Sequence, residues 1–282
     1  MPRTLKGVRL VAGKRAARHR RLAVALMLAA LAAAAGAQDE DVRPPFVTTP
    51  GEVVERMLAL AGAGPQDYVI DLGSGDGRIV IEAAKRFGAR GLGVDIDARL
   101  VALSRENAQR AGVAARAAFE ERDVLATDLS PATVVTIYLL PWLVDRLQPK
   151  LLGELRPGAR IVAHAFPMKG WKPDRIEKLR LARPHDGQGD ESVLYLWIVP
   201  AQARGEWQGG DWRLRIHQNF QEIEVEAEAA GRRLEVTQAK LAGDAIAFSG
   251  AGFSFRGRVE AGRIAGSLAL GERIAPLALT RR

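Results

Sequence analysis

The sequence predicts an α/β fold: a doubly wound, mostly parallel seven-stranded sheet of Rossmann-like type, followed by a small C-terminal all-β module. Three observations predict it. Strand-like and helix-like patterns alternate over residues 50–165. A glycine-rich stretch, "VIDLGSGDGRIV" at residues 69–80, sits where a first strand would pass into the helix behind it. After Pro200 helical periodicity stops, and short alternating strands separated by turn signals take over.

Each element has its own signal. In "TPGEVVERMLALAGA", Thr49 suits an N-cap, Pro50 suits N1, and Glu52 at N3 completes a capping box. Val53, Met57, Leu58 and Leu60 form the buried stripe of that helix. "DYVIDL" is a buried strand, and a helix runs from about Asp76 to Phe87 and is closed by Gly88. "GLGVDI" is the second strand, followed by a helix over Ala98–Ala111 closed by Gly112. "ARAAFEER" is a weak third strand, "ATVVTIYL" a strong fourth with a helix to about Leu155, and "RPGARIVAHAF" a turn and fifth strand. "EKLRLARP" and "ESVLYLWIVP" flank the turn-rich "HDGQGD" as a hairpin, which puts one antiparallel strand at the sheet's end. Beyond a boundary near residue 203, "WRLRIHQ", "EIEVEAE", "RRLEVTQ", "AIAFSG", "FSFRGRVE" and "RIAGSLAL" read as a meander forming a barrel or sandwich.

Composition narrows the function. Among 282 residues there is no cysteine, which excludes disulfides, thiolate metal sites and cysteine nucleophiles, and no metal site is predicted. The net charge is +8, yet residues 1–37 hold eight of the 41 basic residues and no acid. The rest carries 33 basic against 33 acidic residues, so a basic nucleic-acid surface is not expected. The basic start ends at Arg20-Arg21, passes into the apolar run Leu22–Ala35, and leaves through Ala35 and Ala37 before Gln38. That is the plan of an export signal, or of an uncleaved anchor holding residues 22–35 at a membrane. Three segments are expected: residues 1–37 as signal or anchor, 38–203 as the ligand-binding α/β domain, and 204–282 as the β module. The rest of the chain is then exported or membrane-anchored on the periplasmic side, and cytoplasmic if the signal is not used. The oligomeric state is left open.

The glycine turn identifies the ligand class. Its spacing is G-x-G-x-G, with Arg78 where a dinucleotide fingerprint has its last glycine. Asp71 and Asp76 flank it; two carboxylates repel a pyrophosphate but suit the ammonium and sulfonium of S-adenosylmethionine. Asp95 ends the second strand 20 residues after Gly75, where an acid can accept from both ribose hydroxyls. Asp123 ends the third, in reach of an adenine amino group. The expected cofactor contacts are Asp71, Gly73, Ser74, Gly75 and Gly77 at the turn, Asp95 with Ile96, and Asp123 with Val124. Taken singly, Asp95 is also placed to cap the helix that begins near Ala98, and Asp123 to be a solvated loop acid.

These segments, with "PPFVTTP", "GVDID", "TIYLLP" and "GARIVAHAFPMKGWKP", resemble the class I S-adenosylmethionine-dependent methyltransferases over residues 45–200. More narrowly, they are similar to the protein-lysine N-methyltransferases of the ATP synthase c-subunit and the adenine nucleotide translocase, with their bacterial relatives. The resemblance implies S-adenosylmethionine as cofactor and a protein lysine, or another amine, as acceptor. It also implies that "PPFVTTP" and "YLLP" line the methyl-transfer side, although Phe46-Val47-Thr48 stands where related sequences often have Tyr-Val-Pro. Tyr138 is expected to orient the amine, or else to pack under the following helix. His164 reads as a strand-end residue rather than a base. Trp171 either caps the pocket or anchors a loop. An exported, cofactor-binding protein without lysine specificity is the alternative. Residues 204–282 show no clustered histidines or paired acids, so no chemistry is assigned to them.

Overall fold

A computed structural model describes residues 47–185 and 189–282 of the chain. The expected signal, the apolar run at 22–35 and the segment through Phe46 lie outside the described residues. Helix α1 spans Gly51–Ala61, α2 Arg78–Arg86, α3 Ala98–Arg110 and α4 Pro141–Glu154. They alternate with strands β1 Tyr68–Leu72, β2 Arg90–Asp95, β3 Ala117–Glu121, β4 Val134–Ile137 and β5 Arg160–His164. A hairpin of β6 Arg175–His185 and β7 Gly189–Ile198 follows. The strands form one seven-stranded sheet in the order β3-β2-β1-β4-β5-β7-β6. β1 to β5 run parallel, and β7 is antiparallel to both β5 and β6. The antiparallel strand is therefore not at the sheet's end: β7 is inserted, and β6 takes the edge, where Arg175, Lys178 and Arg180 discourage further pairing.

The sheet is covered on both faces. Ile70, Leu72, Val135, Ile137 and Ile161 pack with Leu147 and Leu151 of α4. Their neighbours in sequence, Val69, Val134 and Val162, pack with Val53, Met57 and Leu58 of α1. This is the period-two alternation of a strand buried on both sides. The capping box expected for α1 does not form. Pro50 occupies the N-cap without a side-chain cap bond, and Thr49 is buried. The Glu52 carboxylate instead accepts from the Ala182 N–H of β6 at 3.2 Å, a tertiary partner that replaces the local one.

The C-terminal residues form a second sheet of nine strands, all antiparallel, in the order β11-β10-β9-β8-β16-β15-β14-β13-β12. These are β8 Gly205–Gly209, β9 Trp212–Asn219, β10 Glu222–Ala229, β11 Arg232–Leu234, β12 Gln238–Ala242, β13 Ala245–Gly250, β14 Phe253–Glu260, β15 Arg263–Leu270 and β16 Arg273–Arg281. Trp207, Leu214, Phe248, Phe255, Ile264 and Leu279, drawn from strands across the sheet, belong to one buried cluster, so the meander shares a single core. The sequence reading lacked β8, β12 and β16 and made β11 too long. Pro276 argues against a strand in "RIAPLALTR", yet β16 tolerates it. β16 pairs with β8 only through Thr280 and Arg281, so Pro276 has no ladder to break on that side.

Candidate functional site

The site is built at the carboxyl edge of the parallel strands. The chain leaves β1 at Leu72, and Gly73, Gly75 and Gly77 all take positive φ before α2 begins. The Gly73 and Ser74 amides both donate to the Val94 carbonyl at 2.9 Å, which clamps the turn to β2. The glycines answer first to the protein's own packing. A Cβ on Gly77 would lie 2.7 Å from both the Phe119 ring and Ser104, and one on Gly73 would lie 2.7 Å from Leu139. The second contact brings the "YLLP" segment directly against the turn.

The acids behave differently from one another. Asp71 is 2% exposed, at the end of β1, and accepts from the Thr136 hydroxyl at 2.7 Å. Burial pushes its carboxyl up to about 7; the Thr136 bond opposes the shift, and the nearby Asp95 and Asp76 charges add to it. Asp95 is half-buried. Its two oxygens accept from the Gly75 and Asp97 amides, each at 2.9 Å, which leaves further acceptor positions on both. It does not cap the following helix: Asp97 does, accepting from the Arg99 amide at 2.9 Å. Asp76 is neutralised by Arg78, whose guanidinium lies 2.6 Å from it and also donates to the Thr49 carbonyl at 2.7 Å. Arg78 thus ties the turn to the segment before α1.

Around these acids, Ser74 Oγ is buried and makes no hydrogen bond. Ile96, just past Asp95, is 51% exposed. Asp123 is exposed and caps a short 3-10 turn through the Leu125 amide at 2.8 Å. Val124 turns inward into the main core. Tyr138 is half-buried, with its ring 4.2 Å from that of His164. His164 ends β5, fully buried, with Nε2 2.6 Å from the Ser192 hydroxyl of β7. Trp171 is buried as a loop anchor: its ring stacks on Phe220 and its indole N–H donates to the Gln221 side chain at 2.8 Å.

The structure therefore brings Asp71, Gly73, Ser74, Gly75, Gly77, Asp95 and Ile96 together and sets Leu139 against them. It leaves Asp123 at the surface and takes Val124 into the core. Sequence reasoning missed Thr136 and Ser192. Thr136 had a signal, a hydroxyl inside the otherwise apolar "VVTI"; Ser192 had none.

Comparison with known proteins identifies the family. The family model described as the ANTKMT methyltransferase domain matches residues 71–175. A protein-lysine N-methyltransferase from Saccharolobus islandicus is 40% identical over 156 residues, 55% of this chain and 93% of the relative. The adenine nucleotide translocase lysine N-methyltransferase of Mus musculus is 38% identical over 130 residues, 46% of this chain and 56% of the relative. Among solved structures, an RNA methyltransferase from Salinibacter ruber in complex with S-adenosyl-L-homocysteine is 46% identical, with a TM-score of 0.51, covering 55% of this chain and 95% of that one. With a relative of that identity covered over nearly its whole length, the chain belongs to the protein-lysine N-methyltransferase family of S-adenosylmethionine-dependent methyltransferases.

Proposed function

We propose that this chain moves a methyl group from S-adenosylmethionine to the side-chain amine of a lysine in a protein. The observation that carries the cofactor half is Asp71: a buried carboxylate raised to about 7 beside two further acids gains most from a cationic ligand. Asp71 would face the cofactor's positive charges across the Gly73–Gly77 turn. Asp95 would use its remaining acceptor positions for the ribose hydroxyls, Ile96 would cover an adenine face, and Ser74 Oγ would gain a partner. Gly75 and Gly77 shape the turn. Asp123 would reach the adenine amino group from its exposed position, and Val124 would support the wall from within the core.

The bound cofactor supplies an activated methyl group on sulfur. The amine must arrive neutral. An apolar surround disfavours the ammonium form, and Leu139, packed over Gly73, would contribute to one. With the cofactor held there, attack by the nitrogen lone pair would form the N–C bond as the C–S bond breaks. The bonding pair would stay on sulfur, and the positive charge would pass to the methylated nitrogen, which then sheds a proton to water. What the protein contributes is alignment and exclusion of water. Tyr138 is the residue proposed to orient the amine.

Radiolabelled methyl transfer tests the acceptor. Label on protein lysines, with Tyr138→Phe lowering turnover more than cofactor affinity, is the expected outcome. Label on RNA, carboxylates or small molecules alone would overturn the lysine assignment. No transfer despite cofactor binding would favour a binding protein.

A further inference from the structure

We infer that the β9–β10 hairpin of the C-terminal module is part of the acceptor side of the site, with Phe220 and Gln221 as positioning residues for the loop that follows β5. This rests on the reading of function above.

β5 lies beside β4 in parallel, so the loop at 165–174 leaves the same sheet edge as Tyr138. The contact between the Tyr138 and His164 rings at 4.2 Å puts that loop's root against the proposed amine-orienting residue. The backbone reverses there with Ala165 at φ +67°, a region that side-chain-bearing residues seldom occupy.

The same loop is held at its other end by the module. Phe220 stacks on Trp171, with centroids 5.3 Å apart and planes 9° from parallel, and it packs against the core of the α/β sheet. Gln221 accepts from the Trp171 indole at 2.8 Å and donates to the Lys172 carbonyl at 2.7 Å. Glu222 faces Lys172 at 3.3 Å. From the opposite side Trp197 of β7 donates to the Trp171 carbonyl at 2.9 Å. Consecutive residues of one turn thus contact consecutive residues of one loop.

Asn219 pairs with Glu222, leaving a two-residue connection whose first residue, Phe220, has φ +53°. Glycine or asparagine is the ordinary occupant of such a position. Ala230 holds the same position of the β10–β11 hairpin at φ +50°; at Phe220 this left-handed turn carries a ring that stacks on Trp171.

The full chain carrying Phe220→Gly separates positioning from folding, because glycine relieves the turn while deleting the ring. We expect at least tenfold faster amide hydrogen exchange over residues 166–174. We also expect at least fivefold lower kcat/KM for the protein acceptor, expressed mainly in KM, with cofactor affinity within twofold and Phe220→Tyr restoring both. Gln221→Ala should move the same readouts by less. Unchanged exchange at 166–174 would overturn the inference. So would a folded variant with altered melting temperature but wild-type acceptor kinetics, the result expected if the contact only joins the two sheets. Should the wild-type chain methylate no lysine, the reading of function falls, and hydrogen exchange still decides whether the hairpin holds the loop.

Discussion

Two carboxyls in this molecule are shifted in opposite directions, Asp71 upward and Glu206 downward. At the edge of the parallel sheet, Asp71 is buried, has two acids as neighbours and is pushed up to about 7. On the outer face of the C-terminal sheet, Glu206 sits 2.7 Å from Arg215, which holds its carboxyl below the ordinary range. Asp244 faces Arg258 at 2.6 Å, and Glu228 faces Arg213 at 3.8 Å. Each of these module acids faces an arginine; Asp71, buried near Asp95, faces a hydroxyl instead. A buried acid with acid neighbours costs free energy, and the function proposed above places the cofactor's positive charge beside it.

The largest effect expected from breaking this edge comes from its frame rather than its charges. Gly77→Ala would force a side chain into left-handed backbone and against Phe119 and Ser104. Backbone strain of roughly 1–2 kcal/mol and overpacking of typically about 1–3 kcal/mol add to about 2–5 kcal/mol, readable by denaturant unfolding, with cofactor binding lost. A stable variant that still binds would show that the turn is not shaped by its packing.

Asp95→Ala comes next. It removes the proposed ribose acceptor and also the partner of the Gly75 and Asp97 amides. A weakening of cofactor affinity by about 1.5–3 kcal/mol in calorimetry is expected, the range for hydrogen bonds to a charged group. Wild-type affinity would remove Asp95 from the site.

How much of this was legible in the sequence follows from the range of the interactions. The glycine turn and Asp95 were readable because strand, turn and following acid lie within a short span, and the strand pattern fixes where each ends. Helix capping by Asp97 rather than Asp95 depended on two residues of register at the strand end. Asp123 reads as the end of the third strand, but β3 stops at Glu121, and Asp123 lies in the exposed turn beyond it. The α1 capping box failed because Glu52 found a partner 130 residues away. The contact of Phe220 and Gln221 with Trp171 joins residues about 50 apart through a turn with no glycine, so no local pattern announced it. Short-range devices were legible; contacts made by folding one sheet against another were not.

The third effect concerns pH. Asp71 is raised in the folded protein, so its stabilising, protonated form is fully present below the ordinary carboxylate range and is lost as pH rises through about 7. Asp71→Asn should therefore raise the melting temperature of the ligand-free protein at pH 8 and change it little at pH 4. Cofactor binding should release a proton near neutral pH, and affinity should rise with pH up to about 7. Calorimetry at pH 7 in buffers of different ionisation enthalpy reads the proton directly. Equal apparent enthalpies in all buffers would mean that the carboxyl is not coupled to the ligand.

The smallest effect is expected on the module, and its sign is the useful part. Glu206 is lowered in the folded protein, so its contribution is present above the ordinary carboxylate range and disappears as pH falls through its depressed value, the reverse of Asp71. Glu206 and Arg215 are both about half exposed, with side-chain accessibilities of 49% and 57%. Water and salt screen such a pair, and fixing two long side chains costs entropy. Glu206→Gln should leave cofactor affinity unchanged. It should lower thermal stability by an amount visible at low ionic strength and lost in the scatter at 0.5 M salt, with no difference from wild type in strong acid. Melting curves of Asp71→Asn and Glu206→Gln recorded side by side across pH should therefore depart from wild type in opposite directions above neutrality. If both variants were destabilised at pH 8, the charge at the sheet edge would be compensated like that of the module, and the electrostatic case for a cationic ligand at Asp71 would fail.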